Sequence, residues 1–581
     1  MNSNLSSNAL QVLEARYLLR DSKNQLIETP DDLFIRVATS VAKAEKKWGG
    51  PSQVKHWRSR FLSALTELEF LPNSPTLMNA GTPLGQLSAC FVLPVEDDLI
   101  KIFDALKLMA IVQQSGGGTG FSFSKLRMKG DPVSVTSGVA SGPVSFMKIF
   151  DVATENIRQG GKRRGANMAV LRIDHPDIEE FIEAKRNLET LTNFNLSIGM
   201  TDAFMRAAAK GQNHALIDPF DGKKKRVVSA RALLKEIATA AWKTGDPGLI
   251  FLDAMNRENP TPHLGPIEAT NPCGEVPLLP YEACNLGSIN LTKMVQKSGH
   301  GWEIDWKKLE ETVAVAVRFL DNVIEVGKWP CSQIENQVKG NRKIGLGVMG
   351  FAELLVLMKI PYDSMQAVET ASSLMRTISD LAWKSSQELA LERGVFPNWK
   401  KSTLNKKQIK ARNATVTSIA PTGTISLIAG TSSGIEPLFG ISYTQKNVLD
   451  GKTLRVLNPV FKRICREQEL ISEKELKAVE KSGSLSQASA LTLQWRAIFK
   501  TATEIPAKAQ LEIQAAFQEH TDNAVSKTIN LPEDSTVEDV LWIYQSAWEK
   551  RLKGITVFRY GCRGEQVLEL GQSCSPADCR L

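Results

Sequence analysis

The chain has 581 residues, of which 42% are hydrophobic and 23% charged, and a formal net charge of +8. That composition is globular, with length for a large core. The scatter of eight cysteines excludes a secreted disulfide framework, and the charge excess suits phosphorylated small molecules as well as nucleic acid. The length suggests several domains, although a closed α/β barrel absorbs long insertions as one unit. The N-terminus lacks a basic start followed by an apolar core, and no stretch reaches the roughly 18 apolar residues of a spanning helix. The expectation is a soluble, cytoplasmic protein without a membrane contact.

In chain order, residues 8–48 read as helical, with Leu10, Leu13, Tyr17 and Leu18, then Phe34, Val37 and Val41, at helical spacing. From Phe70 the text changes. Strand-like runs at 90–95, 120–126, 168–173, 415–419 and 554–559 alternate with helical patterns, clearest at 309–326 and 365–391, the latter stopped by Gly394 and Pro397. This alternation predicts α/β architecture rich in parallel sheet. Residues 455–520 read as polar, peripheral helix, and after Gly561 the pattern dissolves into a tail ending GQSCSPADCRL.

The chemistry-bearing stretches follow the same order. Ser115–Gly120 is a glycine-rich run whose amides suit an anion, or a plain turn; it lacks the ending of a Walker loop. Gly160 to Gly165 joins glycines to Lys162, Arg163 and Arg164, a phosphate loop or a solvated basic one. Asn271, Cys273 and Glu275 alternate with Pro272 and Gly274. If extended, the three share one face, where an amide can hold a substrate, a thiol attack it and a carboxylate move a proton; the alternative is a Pro-Gly turn that contains a cysteine. Cys284 follows. Pro421, Thr422, Gly423, Thr424, Ile425 and Ser426 after a hydrophobic run suit a phosphate at a strand end, or form an ordinary loop. Cys574 and Cys579, with four residues between them in a small, polar end, point to redox exchange rather than half of a zinc site. None of the six histidines, His175 included, is read as a metal ligand. Cys331, Cys465 and Cys562 are expected to be buried structural thiols.

Together these pieces resemble the catalytic subunit of ribonucleotide reductase. The likeness runs collinearly through LPNSPTLMNAG, SACFVLPVEDDL, SGGGTGFSFSKLR, QGGKRRGANMAVLRIDHPDIEEFI, NPCGEVPLLPYEACNLGSINL, KIGLGVMGFAELL, PTGTIS, SGIEP and KGITVFRYGCRG. It implies a helical N-terminal region (1–68), a ten-stranded α/β barrel with a central finger loop (69–561) and a flexible redox-active tail (562–581). It also implies roles. Cys273 carries a thiyl radical, Glu275 is general base, Asn271 holds the sugar hydroxyls, and Cys90 with Cys284 supplies two electrons. Ser74, Ala89, Gly118 and the loop at Pro421–Ser426 hold the nucleotide, while Cys574 and Cys579 pass electrons from a thioredoxin-like protein. The family's effector region (about 97–166) aligns Asp98, Arg127, Lys162, Arg163 and Arg164 with a deoxynucleoside triphosphate at a homodimer interface. Too few residues precede LPNSPTL for an additional ATP-binding cone, so specificity control without an overall off-switch is expected.

The class follows from the radical source. No Tyr-Tyr pair stands near Tyr560, and neither a glycyl-radical segment nor a cysteine-rich zinc region is legible. The opening RYLL and ETPDDLF text resembles the adenosylcobalamin-dependent class. No motif predicts a histidine ligand to cobalt. The resemblance therefore implies ribonucleotide reduction, of diphosphates, with adenosylcobalamin. The alternatives are an oxygen-dependent large subunit or a nucleotide-binding regulatory paralogue.

Overall fold

The computed structural model describes residues 5–133, 138–159, 163–299, 301–449, 452–563 and 568–570. Its centre is a ten-stranded sheet: β1 Phe70–Pro72, β2 Cys90–Val92, β3 Gly118–Ser122, β4 Asn167–Arg172, β5 Phe194–Met200, β6 Gly248–Phe251, β7 Ala283–Asn290, β8 Ile344–Met349, β9 Thr528–Leu531 and β10 Gly554–Arg559. The order is β1-β7-β2-β3-β4-β5-β6-β10-β9, with β8 paired to β7. Strands β2 to β6 run parallel. β7 and β10 flank that block antiparallel and each carries a parallel neighbour, β8 and β9. Two parallel bridges, Leu346 with Thr417 and Ile419 with Val525, bring the 415–419 run between β8 and the chain that leads into β9. That run makes bridges rather than the regular strand expected.

Alternation along the strands gives the sheet two apolar faces. Phe91, Ala169 and Leu171 belong to the large core under the helices. Cys90, Val92, Met168 and Val170 belong to a smaller inner cluster with Val276, Leu278, Cys284 and Leu286. Strand β2 ends at Val92 rather than at 95, because Pro94 has no N–H to continue a ladder. The expected strand at 120–126 starts at Gly118 and stops at Ser122.

The N-terminal region is helical but not continuous. Its helices are Ser7–Arg16, Pro30–Ala42 and Lys46–Thr66. Between the first two, Asp21 Oδ1 accepts from the N–H groups of Lys23 and Gln25, and Arg20 bridges Leu26. Thr29, in a capping box with Asp32, and Pro30 then restart the helix. These local side-chain bonds compete with helix, which apolar spacing alone does not register. The helices Trp306–Val326 and Met365–Arg393 match the expected pair. No helix among the described residues is long and apolar enough to cross a membrane.

A buried ionic network ties the N-terminal helices to this pair. Glu45 accepts from Arg318 and Arg393, each at 2.7 Å, and from Asn322 Nδ2 at 2.7 Å. Asp321 meets Arg342 at 2.7 Å and Arg393 at 2.9 Å. Burial pushes the Asp321 carboxyl up, but Arg342, Arg412 and Arg393 outweigh it and hold it at about 2. Because this folded value lies below the ordinary 3.8, the Asp321 contribution is present above 3.8 and is lost as pH falls toward 2. Glu45→Gln leaves two arginines short of a counter-charge and is expected to lower the unfolding free energy by about 3–5 kcal/mol. Urea denaturation at neutral pH checks it.

Candidate active site

Residues 271–275 are not extended. The Gly274 N–H donates to Asn271 O at 3.1 Å, and Gly274 has φ 82°, so Pro272 and Cys273 occupy the middle of a tight turn. The expectation of one shared strand face is therefore corrected. Pro272 and Gly274 favour the turn, and Val276 N–H locks it by donating to Asn271 Oδ1 at 3.0 Å. The turn tops a hairpin whose legs, Ala269–Thr270 and Pro277–Leu278, pair antiparallel. That hairpin lies on the inner face of the sheet: a Cβ on Gly120 of β3 would stand 1.7 Å from Thr270 O. Asn195 Nδ2 of β5 donates to Pro272 O at 2.9 Å. Ser418 Oγ and Ala524 N–H both donate to Glu275 O, at 2.9 and 2.8 Å.

The turn separates the three functional groups by exposure. Cys273 is exposed, whereas Asn271 and Glu275 are buried. Asn271 Nδ2 donates to Glu275 Oε2 at 2.7 Å and to Cys90 Sγ at 3.1 Å, and the Cys90 sulfur lies 3.9 Å from Glu275 Oε1. Burial raises the Glu275 carboxyl to about 7, against the opposing bond from Asn271. Cys90 and Cys284 are direct cross-strand partners of β2 and β7. Facing residues on antiparallel strands are about 4.5–5.5 Å apart at Cα, inside the range for a disulfide. Both thiols are pushed up by burial, and neither is in a disulfide.

Cys273 faces a cavity of about 570 Å³. Pro421, Gly423 and Ser426 also line it, so this part of the sequence-predicted loop and the cysteine share one space. Thr422 sits behind them with φ 56°, its Oγ1 accepting from Gly434 N–H at 2.8 Å. Thr424 directly precedes the short helix Ile425–Ala429. Gly118 and Ala89 lie beneath the turn: Ala89 O accepts from Gly118 N–H at 2.7 Å, and a Cβ on Gly118 would meet Pro272 Cγ at 2.9 Å. Ser74 opens the helix Ser74–Asn79 and shares a 2.7 Å hydrogen bond with Tyr17 Oη.

Other expectations fall elsewhere. Asp98 caps the helix Leu99–Gln114, and Arg127 pairs with the neighbouring Asp97 at 2.8 Å while its guanidinium lies over the exposed Phe220 ring. Lys162, the side chains of Arg163 and Arg164, and both Cys574 and Cys579 lie outside the described residues. Cys465 and Cys562 are buried as expected, but Cys331 is half-buried at the start of Ser332–Asn341. Sequence reasoning missed Asn195, Ser418 and the cavity-lining ion pair Lys527–Glu436 at 2.7 Å. Glu436 stands within the SGIEP motif, which was the available signal; Asn195 and Ser418 carry none.

The ribonucleotide reductase all-alpha domain matches residues 3–85, and the ribonucleotide reductase barrel domain matches residues 88–558. The chain belongs to the ribonucleotide reductase family. Among similar reductases, the vitamin B12-dependent ribonucleoside-diphosphate reductase of Mycobacterium tuberculosis is 50% identical over 97% of this chain and 80% of its own length. The one from Thermoplasma acidophilum is 47% identical over 98% of this chain and 80% of its own. The ribonucleoside-diphosphate reductase large subunit of vaccinia virus is 27% identical over 90% of the chain.

In this reductase the hairpin and β3 touch backbone to backbone, so Gly120→Ala must displace the turn. The expected outcome is a folded protein whose turnover falls by about a hundredfold or more, the loss typical of a misplaced reacting group. Circular dichroism and a deoxynucleotide assay separate the two effects.

Proposed function

We propose that the chain reduces ribonucleoside diphosphates to 2′-deoxyribonucleotides by thiyl-radical chemistry, with adenosylcobalamin as radical source. One observation carries this reading: among the cysteines of the described residues, Cys273 is the one presented to the cavity, above a buried Asn271–Glu275–Cys90 cluster whose cysteine faces a second one, Cys284. The names of the relatives at 47–50% identity support the cofactor and the diphosphate substrate.

The lining of the cavity is mixed in character, which suits one part of a large amphipathic cofactor. Phe439, Tyr443 and Phe558 give it apolar wall and Ser432, Ser433 and Asn530 polar edges, and these residues would hold the group. When bound, adenosylcobalamin supplies the one-electron oxidation that turns the Cys273 thiol into a thiyl. Cys273 then takes the substrate's 3′-hydrogen, and Glu275 accepts the 3′-hydroxyl proton at a carboxyl oxygen. Asn271 Nδ2 orients the sugar hydroxyls and the carboxylate together. The 2′-hydroxyl leaves as water while Cys90 and Cys284 give up two protons and two electrons and become a disulfide. Cys273 returns the hydrogen to the 3′ carbon and Glu275 returns its proton to the 3′ oxygen, which restores both groups. Pro421–Ser426, with Ser74, Ala89 and Gly118, hold the sugar and phosphates.

Finer features belong to the same reading. A closed ten-stranded barrel is supported by the bridges through Thr417 and Ile419. A homodimer is supported by the exposed Leu99, Ile100, Phe103 and Ile111 of one helix and Ile149 and Val152 of another. An effector at that face is supported by the placement of Asp98 and Arg127 at the start of the first helix and beside it. Cys574 and Cys579 carry electrons from a thioredoxin-like protein.

Purified chain with adenosylcobalamin, a ribonucleoside diphosphate and a dithiol is expected to give deoxynucleotide; product only with a metal-bearing second subunit refutes the reading. Proton transfer to Glu275 needs its carboxylate, so the rate rises with pH through about 7 and then levels. Glu275→Gln is expected to cost about 10²–10⁴-fold in turnover. Because the folded value exceeds the ordinary 4.5, ionising Glu275 weakens the fold as pH rises toward 7, and Glu275→Gln raises the unfolding temperature above that pH. Cys574→Ser with Cys579→Ser should abolish thioredoxin-driven turnover and spare one reductive cycle; equal loss of both removes the shuttle.

A further inference from the structure

Lys343 and Glu282 form an ion pair inside the protein, Nζ to Oε2 at 2.7 Å, with side chains 1% and 0% exposed. Taking two charges out of water is unfavourable unless their place offsets it, and nothing in the reaction above uses them. Their place is next to Cys284. Asn285 pairs with Ile344 in the parallel ladder of β7 and β8, so Cys284 and Lys343, one residue earlier on each strand, are neighbours. The Cys284 thiol donates to the Lys343 carbonyl oxygen at 3.6 Å.

The pair is not electrically balanced from the side of the sulfur. The Glu282 carboxylate is occupied by three donors: Lys343, the Leu279 N–H at 2.8 Å and Asn341 Nδ2 at 2.6 Å. Among the described residues the Lys343 ammonium makes its bond to Glu282 alone, which leaves two of its three N–H groups for another acceptor. Cys90 has the opposite surroundings, with Glu275 Oε1 at 3.9 Å. Burial aside, the charge that acts most strongly on Cys284 is Lys343, which favours a thiolate against Glu282 and Glu275, whereas at Cys90 it is Glu275, which disfavours one. Cys90 also stands beside Asn271 and Glu275, the residues that flank the exposed Cys273, whereas Cys284 has the strand ladder and the ion pair behind it.

We infer that Lys343, held by Glu282, is a positioning residue that makes Cys284 the leaving sulfur whenever the Cys90–Cys284 disulfide is reduced. The inference rests on the reading of these cysteines as the reducing pair. A thiolate of an external dithiol attacks Cys90 Sγ; the Cys90–Cys284 bond breaks, a mixed disulfide forms at Cys90, and Cys284 leaves as a thiolate beside the Lys343 ammonium. The second thiol of the dithiol then attacks its partner sulfur and expels Cys90. Two electrons pass to the protein, the two thiol protons end on Cys90 and Cys284, and the dithiol becomes a disulfide.

Two measurements test this. Oxidised protein is treated with a small monothiol, trapped with N-ethylmaleimide and mapped by mass spectrometry. The expected result is the monothiol adduct on Cys90 and the maleimide on Cys284; the reverse pattern overturns the inference. In Lys343→Gln with Glu282→Gln, a neutral pair that keeps a hydrogen bond, re-reduction by dithiothreitol is expected to slow about tenfold or more relative to the first turnover of pre-reduced protein. Equal slowing of both steps marks a structural role and refutes it. Should this variant not fold, the adduct map on unaltered protein decides. Protein that forms no Cys90–Cys284 disulfide on turnover defeats the reading of the reducing pair, whereas a disulfide that opens with the adduct on Cys284 defeats this inference alone.

Discussion

The interior depends on the hydrogen bonds that hold a five-residue turn against the inside of the sheet. Glu275 O receives Ser418 and Ala524, Pro272 O receives Asn195, and Asn271 Oδ1 receives Val276 N–H. Each bond satisfies a carbonyl or amide that has no ladder partner, and an unmade one there would cost more than a made one gains. The anchors come from separate parts of the chain, so the position of Cys273 is set by the whole sheet rather than by its own loop. The same fixation buries Glu275 and keeps its carboxyl near neutrality, where it can both take and return a proton.

Much of this was legible in residue order, and the exceptions have physical reasons. The strands from 118, 167 and 554 and the long helices follow from period and stop signals that are local. The turn at 271–275 was legible as an alternative only, because alternation and Pro-Gly chemistry point opposite ways over so short a stretch. The facing of Cys90 and Cys284 is a register between strands almost two hundred residues apart, and no spacing rule reaches that far; only family resemblance paired them. Asn195 and Ser418 look like any polar residue of a strand or loop until the hairpin is laid against them.

Charges were the least legible. Glu45, Asp321 and Lys343 stand in text that reads as ordinary helix or strand edge, yet all three are buried in ion pairs. Helical periodicity says which side of Trp306–Val326 is apolar, but not that Arg318, Arg342, Arg393 and Arg412 converge around two carboxylates there. Such convergence is a product of packing. It explains why the N-terminal helices, which look separable in sequence, share counter-charges with the helices over the sheet.

The register that sets Cys90 opposite Cys284 also bears on mechanical endurance. The spacing of antiparallel partners is fixed by backbone hydrogen bonds, and it falls within the reach of two sulfurs. Closing and opening a bond there calls for side-chain rotation and leaves the strands where they are. In the proposed reaction the sheet acts as a gauge block that has no need to change length between oxidation states. A catalyst of that kind, oxidising its own interior at every cycle, would run many cycles without fatigue in its framework.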